Sequence, residues 1–190
     1  MLEELLKRDR SFRSFDENRP ISPEEMKKIA AVCCLCPSTA NLQVIKLREV
    51  TNKDELELLL ENTGWAGYLK DEKLPPEGHS PTGYMVVCID RNISGASPIF
   101  YKDVGICAQA MLLRACELGL GGCMIGTYKE DVLKKALGIG DGLEIALVIA
   151  LGKPDEEVEL CPVSEDGSIK YYRKNGVHYV PKRSLEEILI

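Results

Sequence analysis

Histidine is nearly absent: His79 and His178 are the only two in 190 residues. That leaves little from which to build a histidine-based metal or acid–base centre. No His-Glu-x-x-His and no Gly-x-Ser-x-Gly occurs, which excludes the zinc-peptidase helix and the hydrolase nucleophile elbow. Gly119-Leu120-Gly121 is followed by Cys123 and Met124, with no third glycine in register, so the dinucleotide fingerprint fails. Gly121 and Gly126 have the spacing of a phosphate loop but lack its Lys-Ser/Thr. A basic excess is also missing. Lys and Arg number 24 against 30 Asp and Glu, giving a formal charge of −6 and a pI near 5.1. Nucleic-acid binding, which requires cations to neutralise phosphates, is not expected. No apolar run is long enough to span a bilayer. The opening Met-Leu-Glu-Glu-Leu-Leu-Lys-Arg interleaves acids and bases, unlike a signal peptide. The cytoplasm is the expected compartment, with thiols reduced.

What is present describes one domain spanning residues 1–190. Hydrophobic residues make up 45% of the chain, enough for a real core. Residues 2–9 read as a short amphipathic helix. Ser22-Pro23-Glu24-Glu25 is a strong helix start, with Ser22 as cap, Pro23 in the first turn and Glu25 closing a capping box. That helix should stop near Cys36, before Pro37. A strand is expected at 46–51, a helix at 53–61 and an irregular excursion at 62–83 that holds Trp65 and Tyr68. Gly83–Asp90 and Leu143–Leu151 are near-continuous apolar runs, as buried central strands would be. Residues 101–118 form the longest helical pattern, apolar on more than one side. A short strand follows at 123–125 and a helix at 129–137. Lys174-Asn175-Gly176 joins two alternating runs, 169–173 and 177–180, as a hairpin turn does. Ser184 caps a last short helix. This order of elements predicts an α+β domain with helices around one sheet.

Eight cysteines are present. Cys33, Cys34 and Cys36 are the tightest group, and Cys33-x-x-Cys36 has the spacing of a thiolate pair. A metal site of that type needs a matching second pair, and Cys107, Cys116, Cys123 and Cys161 are scattered. Free cysteine is a common core residue. The alternatives are therefore a thiol-redox or metal-binding role for Cys33, Cys34 and Cys36, or simple packing.

Three further segments carry chemistry. Arg10-Ser11-Phe12-Arg13 sets two guanidinium forks around a hydroxyl, which suits a phosphate. Its alternative is a solvated basic helix end. Pro37-Ser38-Thr39-Ala40-Asn41-Leu42-Gln43 gathers hydroxyls and amides in one turn, and Asn41 and Gln43 can each read a heterocycle edge as donor and acceptor. Its alternative is a capping turn. Gly119 to Gly126 offers backbone that a ligand can approach closely, or simply a tight helix-to-strand turn.

Taken in order, these segments resemble the nitroreductase family. Arg10 to Arg13 matches its basic Arg-Ser-x-Arg opening. Pro37, Ser38, Asn41 and Gln43 match its Pro-Ser-x-x-Asn-x-Gln turn. Asp103 to Leu118 and the Gly-Leu-Gly that follows match its central helix and turn. The resemblance implies an α+β fold with a central, mainly antiparallel sheet in an intertwined homodimer binding FMN non-covalently. It implies that Arg10, Ser11 and Lys182 or Arg183 hold the phosphate. Arg13 would join them or reach the N1–O2 side of the ring. Ser38, Asn41 and Gln43, in the turn opened by Pro37, would contact the ring and ribityl chain. Backbone at Ile125 and Gly126 would approach the reactive edge from the partner subunit. It further implies NADH or NADPH as reductant and a small electron-poor acceptor, such as a nitro compound or quinone, in a ping-pong cycle. No side-chain catalyst is expected. A flavin binder without turnover is the alternative within the fold. The apolar circumference of residues 101–118 independently points to a helix at a subunit interface.

Overall fold

The computed structural model describes residues 1–69 and 71–190. Four antiparallel strands form the main sheet: β1 (Ile45–Val50), β2 (Gly83–Asp90), β3 (Gly121–Ile125) and β4 (Leu143–Gly152), in spatial order β1-β2-β4-β3. The two apolar runs, β2 and β4, are the inner strands, as their composition predicts. Both faces of β2 are buried. Met85, Val87 and Ile89 face a cluster that includes Met26 and Ile29 of α2 (Pro23–Ala31) and Val104, Ala108 and Met111 of α5 (Tyr101–Glu117). Tyr84, Val86 and Cys88 face Leu59 of α3 (Lys53–Glu61) and Leu133 of α6 (Glu130–Leu137). Side chains alternate across a strand, so a sheet covered on both faces needs apolar residues at every position.

The remaining elements follow local signals. α1 (Leu2–Arg8) packs along α5, and Arg8 donates to the Cys116 carbonyl at 3.0 Å. α2 starts with the full Ser22–Glu25 capping box. A 3-10 turn at Val32–Leu35 then carries the chain to Pro37. A short α4 (Arg91–Ser94) precedes α5, and a capped α7 (Leu185–Ile188) closes the chain.

The structure corrects the expectation of a single sheet. β5 (Glu157–Pro162), β6 (Tyr172–Lys174) and β7 (Val177–Lys182) form a second, three-stranded one. The hairpin at Asn175-Gly176 joins β6 and β7, and β5 adds to β7 in parallel. β5 alternates in Glu157-Val158-Glu159-Leu160 with the period of a strand, but the run is short, acidic and ends at Pro162, and no strand is expected there. It exists because β7 offers it a hydrogen-bonding edge. Trp65 packs against the α3–α6 cluster and Tyr68 against Tyr171, with ring centroids 5.0 Å apart. Lys70, inside the same excursion, lies outside the described residues.

Candidate functional site

The Arg10–Arg13 segment is fixed by a close approach of backbones. Ser11 bridges Gly122 in parallel, and the Phe12 amide donates to the Gly122 carbonyl at 3.0 Å. A Cβ on Gly121 would lie 2.6 Å from the Phe12 ring, and one on Gly122 would lie 2.3 Å from the Ala150 carbonyl oxygen. These glycines thus admit the basic segment and the neighbouring strand rather than a ligand. Gly119, with φ of +74°, makes the turn out of α5.

The result is a basic basin of about 330 Å³ lined by Arg10, Ser11, Arg13, Met124, Tyr171 and Lys182, with Asp9 at its edge. Arg13 is 8% exposed. Its guanidinium donates to the Ser11 carbonyl at 3.1 Å and stacks 4.8 Å from the centre of the Tyr171 ring. The Nε atoms of Arg10 and Arg13 are buried and have no acceptor in the protein. Asp9 accepts from Gln109 at 2.7 Å, and burial raises its pKa against the pull of that bond and of Arg10. Lys182 reaches the basin, whereas Arg183 pairs with Glu187 at 3.2 Å on α7. Of the two basic residues left open by the sequence, only Lys182 joins the others. Ile125 turns its side chain into the α3–α6 cluster, so only its backbone is on offer, and a Cβ on Gly126 would meet open space.

Behind the basin, Glu156 accepts from the Arg13 amide and from Arg173, the latter at 2.5 Å. His178 is 1% exposed, and its Nδ1 lies 3.9 Å from Glu156. Burial, then the charges of Arg13 and Arg173, push its pKa down to about 4. It is a neutral imidazole in this fold.

The Pro37–Gln43 turn lines a different cavity, of about 530 Å³, with Pro37, Ser38, Asn41 and Gln43 on its wall. Its anchor is Asp103, in the first turn of α5 and 2% exposed. The carboxylate accepts from the Ser38 hydroxyl at 2.9 Å, the Thr39 hydroxyl at 2.7 Å and the Thr39 amide at 2.9 Å. Burial acts to raise its pKa, but the bonds from Thr39 and Ser38 outweigh it and hold the group ionised. The Ser38 oxygen also accepts from the Gln43 amide at 2.9 Å. Ala40, Asn41 and Gln43 adopt φ of 49°, 54° and 50°, a left-handed conformation that non-glycine residues hold only when their surroundings impose it. Asp103 holds the start of this turn through Ser38 and Thr39. It leaves the Asn41 and Gln43 amides projecting at an exposed edge, where their own contact is long, at 3.3 to 3.4 Å.

The two cavities share no residue. Cys107 lines one and Gln109 the other, and residues two apart on a helix point roughly 200° away from each other. α5 therefore stands between them. Sequence reasoning missed Asp103 as an anchor, Tyr171 as a cover for Arg13 and Glu156 as a buried counter-charge. Asp103 alone had a signal, an acidic residue in the first helical turn, but that is the usual place for one.

Comparison with known proteins agrees with this architecture. The family model described as the nitroreductase family matches residues 6–153. This chain belongs to that family. It is 28% identical over 153 residues to an Archaeoglobus fulgidus protein named for NADH dehydrogenase and NAD(P)H nitroreductase activity, covering 78% of this chain and 82% of that one. It is 27% identical over 167 residues to the NADPH-flavin oxidoreductase of Vibrio harveyi, covering 80% of this chain and 65% of the relative. Among solved structures, the FMN-dependent nitroreductase of Clostridium difficile R20291 superposes with a TM-score of 0.66 at 23% identity, covering 90% of this chain and 97% of the other. A nitroreductase family protein of Clostridium novyi NT gives 0.68 at 21% identity, with 81% and 86% covered. Among the described residues, no helix is long and apolar enough to cross a membrane, and no cluster of His, Cys, Asp or Glu is arranged to hold a metal ion.

Proposed function

We propose that this chain is an FMN-dependent oxidoreductase. It takes reducing equivalents from NADH or NADPH and passes them to a small electron-poor acceptor such as a quinone or nitro compound. The observation that carries this reading is the pair of buried, unpartnered guanidinium nitrogens on Arg10 and Arg13. Buried donors without acceptors are rare in native proteins and mark a place for an acceptor from outside the chain. With Lys182 nearby and Asp9 the one carboxylate among the lining residues, the basin is cationic. Its donor set fits a phosphate monoester.

In this reading Arg10, Ser11, Arg13 and Lys182 hold the phosphate. Arg13 owes its fixed direction to Tyr171 and the Ser11 carbonyl. Pro37 and the Asp103 clasp hold the turn from which Asn41 and Gln43 meet the ring edge and ribityl chain. Ser38 contributes mainly by bonding within the turn, since its proton is committed to Asp103. The backbone at Gly126, which is exposed, and at the adjoining Ile125 would border the approach to the ring from the partner subunit. Bound FMN supplies the hydride and electron chemistry itself, and the protein supplies position and charge. Donor and acceptor would occupy one place in turn, which gives ping-pong kinetics.

The cavities flank α5, so one ligand cannot meet both within a single chain. Two copies solve this, the basin of one facing the turn of the other. The outward stripe of α5, with Gly105, Ile106, Ala110 and Leu113, is apolar, as a helix at a subunit interface would be. The proposed unit is a homodimer.

The test is the near-ultraviolet and blue absorption of the purified protein, before and after anaerobic NADH or NADPH, with sedimentation in parallel. A flavin spectrum that bleaches, in a dimer, is the expected outcome. Flavin that stays oxidised with both nucleotides makes the chain a binder rather than a reductase. A protein that takes up no FMN, or carries it as a stable monomer, overturns the reading.

A further inference from the structure

The family match ends at residue 153, so the small sheet and what it brings to the basin lie beyond it. Just before β5 stands Glu156, whose side chain is 5% exposed. One carboxylate oxygen accepts from the Arg13 backbone amide, and the other accepts from Arg173 of β6 at 2.5 Å. A buried carboxylate needs a cation, and this one is held against the backbone of Arg13. Arg13 nevertheless gives its guanidinium to weaker partners. It donates to the Ser11 carbonyl at 3.1 Å, lies 4.8 Å from the centre of the Tyr171 ring and lines the basin, with its Nε lacking an acceptor. Among the described residues, Glu156 is within ion-pair distance of Arg173 and, at 3.9 Å, of His178, but not of the Arg13 guanidinium. His178 is neutral, so Arg173 is the cation that Glu156 has. Arg173 also lies 3.4 Å from Glu72 and stands behind the basin rather than in its lining.

We propose that Arg173 is a positioning residue for phosphate recognition: by holding the Glu156 carboxylate it keeps the Arg13 guanidinium unpaired and turned to the basin. The assignment rests on the reading of the basin as a phosphate site. Its basis is competition for one acid. A carboxylate that receives a guanidinium on both oxygens is a stronger partner than a ring face and a lone carbonyl. With one oxygen on the Arg13 amide and the other on Arg173, Glu156 has no such fork to offer the Arg13 side chain. Without Arg173, Glu156 is a buried acid with no cation, which is strongly disfavoured. The Arg13 guanidinium then turns back to it, and the basin loses a donor. Tyr171 stands between Arg13 and His178, its ring centroid 5.4 Å from the imidazole, and supports the forward position of Arg13 without charge. Lys182 reaches the basin from β7, so the small sheet both supplies one cation and frees another.

The test compares FMN with riboflavin, which has the same ring and ribityl chain but no phosphate, by fluorescence titration of the full-length protein. In Arg173→Gln the affinity for FMN should fall roughly tenfold, the worth of one charged hydrogen bond, while that for riboflavin stays unchanged. Adding Glu156→Gln to Arg173→Gln removes the competing acid and should restore the wild-type ratio of the two affinities. Equal losses for FMN and riboflavin would make Arg173 a merely structural residue and overturn the assignment. So would an unchanged ratio in Arg173→Gln. The double variant buries no unpaired charge, so it tests the idea even where the single variant does not fold: a lowered ratio there overturns it. Inorganic phosphate gives the same comparison without flavin. It should raise the melting temperature of the wild type and the double variant more than that of Arg173→Gln. An equal rise in all three, or no rise in the wild type, overturns the assignment whatever the flavin result. That phosphate pattern in a chain that takes up no FMN supports the assignment and overturns only the flavin reading.

Discussion

The basic basin and the Pro37–Gln43 turn are built by opposite means. In the basin the backbone is relaxed and part of the guanidinium donor set is unsatisfied. Within Arg10 to Arg13, Ser11 bridges Gly122 of β3, while two guanidinium nitrogens remain buried without acceptors. In the turn the charge is satisfied and the backbone is unusual. The carboxylate of Asp103 takes bonds from Ser38 and Thr39, while Ala40, Asn41 and Gln43 stand in left-handed conformations. The first region holds its potential in electrostatics, the second in geometry.

The largest effect on this contrast is expected from Gly122→Ala. The new Cβ would meet the Ala150 carbonyl at 2.3 Å and Leu112 at 2.8 Å, and a backbone oxygen in a central strand cannot move aside cheaply. A loss of about 3 kcal/mol in unfolding free energy is expected by urea titration, with the basin lost and the turn unaffected. An unchanged midpoint would show that the segment is not held by close approach.

Acid should act next, and on the basin side. His178 has a folded pKa of about 4 against 6.5 unfolded, so between those values the unfolded chain binds more protons. Its contribution is intact above about pH 6.5 and is lost as the pH falls to about 4, by up to about 3 kcal/mol. The difference between wild type and His178→Gln in denaturation across that window isolates it from the carboxylates. Parallel pH profiles would place the proton elsewhere.

Asp103→Asn should loosen the turn and spare the basin. The loss of a charged acceptor for Ser38 and Thr39 is expected to cost about 2 kcal/mol. The release of Asn41 and Gln43 should weaken FMN roughly tenfold in a fluorescence titration. Inorganic phosphate, which would use only the basin, should still compete with equal strength. The smallest effect is expected from Tyr171→Leu, which removes the ring over Arg13. About 0.5 kcal/mol, or roughly a twofold change in FMN affinity, is the expected outcome.

Much of the main sheet could be read directly from composition. β2 and β4 are apolar at successive positions because helices cover both faces, and the Ser22 and Ser184 capping boxes lie where the sequence puts them. β5 goes unread, because its period-two signal spans only Glu157 to Leu160 among acidic residues and its parallel pairing with β7 is non-local. The same limit applied to the site. Arg10, Arg13, Ser38, Asn41 and Gln43 announce themselves by donor chemistry in compact motifs. Tyr171 and Glu156 meet Arg13 only through contacts some 150 residues apart, which no local pattern records.

The sequence by itself determined the apolar strands, the helix starts and the side chains able to grip a phosphate and read a ring. Those properties follow from neighbours along the chain, where hydrophobic period and cap chemistry act. The tertiary structure alone decided which of Lys182 and Arg183 meets the basin, and that Asp103 holds the turn. It also decided that the basin and the turn stand on different sides of α5. Each of these depends on side chains from distant elements sharing a small buried space, and only close packing sets that arrangement.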